Sequence, residues 1–446
     1  MSETERPDWL SKAEPGPGGF RRRWLLAVLL VVAVGGAAGG LAWRDADSST
    51  PAAVVSSTSP TAEQIDVAAQ SAAVDAILRR RADAVLHRDG VKFLADVDPR
   101  NPLLRARQKV LFANLVQFGF ARLTYRQDRT QFEQALVDKH GPSVYLVGVV
   151  MTYQISGINA QPVRTMLGYT FVRRAGRLLL IDDDHLDKAL PAGSHREAWD
   201  TGPVLVRRAP RVLVVVEHGR KQLAASILAD AQAAVRAVSR RWPTGWQGSG
   251  VVIALDDRHV RDADYTKPKD AEDILAIATQ VYRTLPGEVE NAGESGGSYV
   301  VVNPRYRNEL DARSLAHEFT HVATAPYGAY APRWLVEGTA AYIEMLPMDG
   351  ERDLDLEQYR RLVRSKYLTK AGALPADDVF YETMRSSYSI GWYAVDYLFD
   401  KHGAAKVAKL YKELARQGFS QTQRDLIMTE QLGRTEAQLF VELNRR

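Results

Sequence analysis

From Trp24 to Trp43 the chain runs WLLAVLLVVAVGGAAGGLAW, twenty residues without a charge. As an α-helix rising about 1.5 Å per residue, such a stretch matches a bilayer hydrocarbon core of about 30 Å. A buried helix of a globular protein would show polar positions, and the apolar region of a cleaved signal peptide is shorter, typically about 7 to 15 residues. The expectation is a retained transmembrane anchor over residues 23–43. Arg21, Arg22 and Arg23 stand just before its uncharged stretch and only Arg44 follows closely. The positive-inside bias then leaves residues 1–22 as a cytoplasmic tail and everything after the span outside the cytoplasm, so the chain reads as a single-pass protein of the cell membrane.

The tail is rich in Pro and Gly, and residues 44–61 (RDADSSTPAAVVSSTSPT) form a linker of small and polar residues that cannot bury a core. The rest of the 446 residues is long enough for two folded units. Lys and Arg number 58 against 54 Asp and Glu, and no basic stripe is interleaved with aromatics, which argues against a nucleic-acid partner. The chain has no cysteine, so any metal must sit on His, Asp or Glu.

A first unit spans 62–190. Val74, Ile77, Leu78, Ala82, Val85 and Leu86 recur at helical spacing, and then FARLTYRQD, SVYLVGVVMTYQIS and RTMLGYTFVRRAGRLLLID read as strands, with a hairpin at the AGR turn after Arg174. This order, with LRRRADAVLHRDGVKFLADVD and the closing TFVRRAGRLLLIDD, resembles the cystatin-like α+β cone of nuclear-transport-factor-like domains. Asp182, Asp183, Asp184 and His185 read as an acidic strand end rather than a metal cluster.

The pattern resets near residue 202. RVLVVVE and VVIAL read as buried strands around the helix LAASILADAQAAVRAVSRRW, SYVVVNP as a strand, and the chain from Asp353 onward as helical. Strands followed by helices give an α+β second unit over 202–446, and an α+β chain as a whole. Within it, SLAHEFTHVATA carries the chemistry. Residues four apart on a helix share a face, so His317 and His321 can present two imidazoles to one tetrahedral ion with Glu318 beside them. Asp311 is placed as the N-cap, and Leu310 and Leu315 occupy the staple positions. A core helix with two satisfied histidines would leave Glu318 uncompensated in a desolvated place. Zinc would supply the missing charge.

A catalytic zinc ordinarily takes a third protein ligand and leaves one position for water. The following helix, PRWLVEGTAAYIEML, starts at Pro332 and carries Glu337 beside Gly338. A mid-helix glycine costs about 1 kcal/mol against alanine, which points to close packing on a neighbour, taken to be the HEFTH helix. HEFTH followed by WLVEGTAAY resembles the gluzincin metallopeptidases of the peptidase MA-like group, over residues 205 to 446. The resemblance implies a zincin-type peptidase domain with a helical C-terminal half, and Glu337 as the third ligand after His317 and His321. Metzincins are excluded, because Thr324 and Tyr327 stand where that family has Gly and His. Ala341 replaces the aspartate that thermolysin-like enzymes place four residues after the third ligand, which leaves His317 without an assigned supporting partner.

By this reading Zn²⁺ polarises a peptide carbonyl and Glu318 is the general base. Gluzincins often add a tyrosine or histidine from a later helix to stabilise the oxyanion, and Tyr388 is the residue nominated here. Tyr299 to Val302 are expected to form the edge strand that holds an extended peptide. The other histidines (His87, His140, His185, His195, His218, His259 and His402) read as surface or structural. The alternative is a non-catalytic cell-surface binding module with a structural or vestigial zinc site.

Overall fold

The computed structural model describes residues 62–131, 134–183, 196–243, 245–256, 274–285, 295–348 and 354–446. The expected tail, anchor and linker (1–61) lie outside the described residues, as do Asp184, His185, His195 and His259. Among the described residues no helix is long and apolar enough to cross a membrane.

Three helices open the first unit, α1 (Ala62–Leu86), α2 (Gly90–Phe93) and α3 (Pro102–Phe118). Asn101 caps α3 by accepting from the Leu104 amide, Pro102 fits the first turn where no amide is needed, and Gly119 ends the helix at a left-handed φ of 63°. A four-stranded antiparallel meander follows: β1 (Phe120–Gln131), β2 (Val144–Ile155), β3 (Val163–Arg174) and β4 (Arg177–Asp182), with the short helix α3′ (Gln134–His140) between the first two strands. The expected hairpin after Arg174 is present. Ala175 and Gly176 both take positive φ, 46° and 76°, as a two-residue turn matched to the strand twist requires. Helices packed on one antiparallel sheet are the α+β arrangement read from the sequence.

The second sheet has the order β5 (Val204–Ala209), β6 (Val212–Glu217), β7 (Gly250–Ile253), β9 (Ser295–Val302), β8 (Ala276–Tyr282). Its centre is parallel, β6 with β7 and β7 with β9, and both flanking pairs are antiparallel. Every residue of β6 is buried, as a strand covered on both faces must be. Val212, Val214, Val216, Val252 and Val300 pack with α4 (Lys221–Arg241) and α5 (Ala312–Thr324) in one core. The alternate residues Leu213, Val215, Val251, Ile253, Tyr299 and Val301 belong to a second core shared with Leu123, Tyr125, Val149 and Tyr153 of the first unit. The first unit therefore closes the face of the second sheet that the helices leave bare. Tyr153 seals the junction: its hydroxyl lies 3.2 Å from that of Tyr299 and donates to Glu197.

Two expectations need correction here. Tyr299 to Val302 are not an edge: β9 lies between β7 and β8, and the edge strand on this side is β8. Its short apolar run reads the same from sequence whether one neighbour or two cover it, and strand order is set by the crossover, which local pattern does not report. The remaining helices are α6 (Arg333–Met345), α7 (Leu356–Lys366), α8 (Met384–His402), α9 (Ala404–Ala415), α10 (Gln421–Leu432) and α11 (Glu436–Arg445). The close neighbour of Gly338 is α8 and not the HEFTH helix. A Cβ on Gly338 would stand 2.4 Å from the Gly391 carbonyl oxygen, and one on Gly391 would stand 2.8 Å from that of Trp334. Adjacent residues point about 100° apart around a helix, so with Glu337 turned toward α5 the next residue faces a different partner.

Candidate metal centre

The HEFTH helix α5 starts where the sequence places its cap. Asp311 accepts from the Ser314 amide and the Ser314 hydroxyl, both at 2.9 Å. From Leu315 to Thr324 every residue is buried. That removes the distinction between an apolar and a polar face, and leaves His317, Glu318 and His321 at most 3% exposed.

Helix α6 brings Glu337 to them. Its Oε2 stands 3.4 Å from His317 Nε2 and 3.5 Å from His321 Nε2, and the two imidazole rings lie 4.9 Å apart at 72°. One carboxylate oxygen and two ring nitrogens thus face one another within a space that a single ion could occupy. None of the three atoms has a hydrogen-bond partner, although all are buried. Orphaned buried polar atoms are rare because each costs about 1 to 3 kcal/mol, and three converging on one point are what a tetrahedral ion with two nitrogen ligands and one oxygen ligand would satisfy. The residues fit zinc.

Two of the atoms facing away are held by partners that the sequence reading did not find, while His321 Nδ1 is buried without one. His317 Nδ1 lies 2.9 Å from Glu344 Oε2. Glu344 follows Glu337 by seven residues, two turns of α6, so it returns to the same side of the helix. That spacing is the signal that could have found it. Tyr381 donates to Glu337 Oε1 at 3.0 Å, which leaves Oε2 for the histidines. Tyr381 lies in the irregular stretch before α8, and no sequence pattern points to it. Tyr388 does reach the site: its ring centroid is 6.2 Å from that of His317, and Phe380 packs against its other side at 5.2 Å.

Charge in this space is strongly perturbed. Burial alone would keep His317 neutral, yet the carboxylates of Glu337 and Glu344 outweigh it and push its pKa up to about 10. Burial keeps His321 below its ordinary value. Glu337 is lowered, because His321 and His317 overcome the burial that opposes ionisation. Glu318 goes the other way: burial pushes it well above the ordinary carboxylate range, with Glu337 and Glu344 adding to the rise while the charge on His317 and the Ala278 amide oppose it. Burial, followed by Glu337, raises the Tyr388 hydroxyl well above 10.0. A proton on His317 therefore offsets the buried carboxylates when no other cation is there, and metal binding to such a set displaces protons.

No protein-family model matches the chain, and no curated protein does. Among solved structures the chain is similar to an M1 zinc metallopeptidase from Deinococcus radiodurans, at 15% identity and a TM-score of 0.34, over 68% of this chain and 60% of that one. A mutant M1 zinc metallopeptidase from the same organism, bound to a Tyr-Ser-Ala substrate, is similar at 16% identity and a TM-score of 0.31, over 68% of this chain and 62% of that one. The chain thus spans about three fifths of the length of these proteins. At such TM-scores the likeness identifies neither activity nor substrate.

Proposed function

We propose that the chain is a zinc metallopeptidase, with His317, His321 and Glu337 as the metal ligands and Glu318 as the general base. The observation that carries this reading is the convergence of three buried, unpartnered donor atoms on one point, with both oxygens of Glu318 also free of hydrogen bonds beside them. When bound, zinc would polarise the scissile carbonyl and acidify the attacking water.

The chain's own residues supply the rest. Glu318 takes a proton from the attacking water at a carboxylate oxygen and delivers it to the departing amine. Its burial favours the protonated form, so it accepts a proton at neutral pH only with positive charge close by, which the metal would supply once it has displaced the proton from His317. Glu344 orients His317 through Nδ1, and Tyr381 orients Glu337 through Oε1. Tyr388, a neutral phenol beside the histidines, is the donor for the oxyanion that forms as water adds. An extended peptide would lie along β8, which has one side paired to β9 and lies against α5. We further propose that residues 23–43 anchor this machinery to the membrane with residues from 44 onward outside the cytoplasm.

A structural site would not need Glu318, which is what separates this reading from a non-catalytic binding module. The direct test is metal content: the purified chain should hold about one zinc per molecule, and His321→Ala should lose it while remaining folded by circular dichroism. Full zinc retention by both His317→Ala and His321→Ala would sink the assignment.

A further inference from the structure

Beside His321 lies a small cleft of about 20 Å³ whose described lining carries charge of one sign only. Gln280, Ser298, His321, Thr324, Arg333 and Tyr411 supply its polar groups, and no aspartate or glutamate is among the described residues that line it. Arg333 is the first residue of α6, one turn before Glu337 on the same face. Its guanidinium lies 5.7 Å from the Tyr381 ring centroid; its backbone amide donates to Asp377 Oδ1 at 2.6 Å, and no carboxylate pairs with the guanidinium itself among the described residues. Across the cleft Ser298 is only 6% exposed, and its hydroxyl has no hydrogen-bond partner. It shares a strand face with Val300 and Val302, so it looks toward the helices and the metal centre. A buried hydroxyl without a partner, lining the same cleft as a guanidinium, is an arrangement that an anionic oxygen completes.

Spacing along the edge strand suggests where that oxygen belongs on a substrate. Ala278 and Gln280 both line the cleft from β8, two residues and about 7 Å apart in an extended strand. Consecutive peptide units repeat every ~3.8 Å, so a carboxylate one or two residues from the cleaved bond spans this distance.

We propose that Arg333, assisted by the Ser298 hydroxyl, receives a carboxylate of the substrate one or two residues from the bond that is cut, so that the site selects acidic peptides or peptide C-termini. This rests on the peptidase reading. The carboxylate has two possible sources, the C-terminus or an Asp or Glu side chain, and the test separates them. The zinc-loaded full chain is given two matched peptide sets: one sequence with a free or an amidated C-terminus, and one with Glu or Gln at positions flanking the cleaved bond.

The wild type should prefer the carboxylate member of one set by about 10- to 100-fold in kcat/KM, the worth of a charge-assisted hydrogen bond, and the set that shows the preference names the source. Arg333→Ala should bring the ratio close to one through KM, and Arg333→Lys should keep part of it, with zinc content equal in all three proteins. A wild-type ratio near one in both sets would overturn the proposal, as would loss of zinc in Arg333→Ala, which would mark the arginine as a counter-charge to Glu337. If the wild type cuts no peptide at all, the peptidase reading falls, and calorimetric binding of the same peptides decides the subsite. Tighter binding of the carboxylate member that disappears in Arg333→Ala supports it, and equal binding of both members by the wild type overturns it.

Discussion

Glu344 Oε2 lies 2.9 Å from His317 Nδ1, on the far side of the ring from the nitrogen that faces Glu337. The contact fixes which nitrogen of His317 is free for a metal. Removing such a partner typically costs about 10- to 100-fold in metal affinity. Glu344→Ala should therefore weaken zinc binding by that amount in a competition titration with a chromophoric chelator, and Glu337→Ala should weaken it further, because a ligand atom itself is gone. Wild-type affinity in Glu344→Ala would mean that the contact does not orient the ring.

The approach of Gly338 to Gly391 joins the helix that carries Glu337 to the helix that carries Tyr388. A methyl group on Gly338 would stand 2.4 Å from a backbone oxygen, which cannot move without shifting α8. Overpacking of this kind costs about 1 to 3 kcal/mol. Gly338→Ala should lower the denaturation midpoint accordingly, whereas Gly372→Ala, with nothing within 4 Å of the added carbon, should not. Equal midpoints for the two variants would count against the close packing.

One face of the second sheet is buried only because the first unit covers it. Residues 202–446 expressed alone would expose Leu213, Val215, Val251, Ile253, Ile277 and Val301, all buried in the intact chain, and a contiguous apolar surface of this kind drives association. The truncated protein should aggregate or bind a hydrophobic dye strongly. A monomeric truncated protein with an unchanged melting temperature would show that the shared core contributes little.

Asp200, half-buried where the two units meet, has its pKa raised from 3.8 to about 7 by burial, with Arg196 and the Glu197 amide opposing the rise and Asp183 and Glu197 adding to it. The folded state thus holds this proton more tightly than the unfolded one. The stabilising contribution is fully present below about pH 4 and is lost as pH rises through about 7. Stability measured by denaturant at pH 5 and pH 8 should fall between the two by more in the wild type than in Asp200→Asn. The same fall in both would assign the pH dependence to other groups.

How far the sequence reached follows the range of the interactions. The cap at Asp311, the hairpin at Ala175 and Gly176, and the helical placement of His317, Glu318 and His321 are set within a few residues, and the chain spells them out. Glu337 and Tyr388 could be brought to the motif helix only through a resemblance, because nothing within 15 residues of either fixes the distance between helices. Tyr381 and Arg333 had no local signal at all, since a tyrosine in a loop and an arginine at a helix start are ordinary until the fold places them beside a metal site. The interior position of β9 and the α8 partner of Gly338 were misread for the same reason: the identity of a neighbour is a tertiary fact. Glu344 is the exception. Its seven-residue spacing from Glu337 was visible in the sequence, and the expected supporting partner was sought four residues on instead.

The central claim is that one buried carboxylate serves as a base while three neighbouring groups hold a metal. Glu318→Gln keeps the shape of the side chain and removes its capacity to accept a proton, so zinc content and peptide hydrolysis should part company in this variant. Measured on one preparation of each protein, zinc should stay near one equivalent in both wild type and Glu318→Gln, while turnover of a peptide library falls by about 10²- to 10⁴-fold. Zinc retained in both proteins with the same hydrolysis rate, or with no hydrolysis by the wild type of any peptide offered, would contradict the account and favour a binding module.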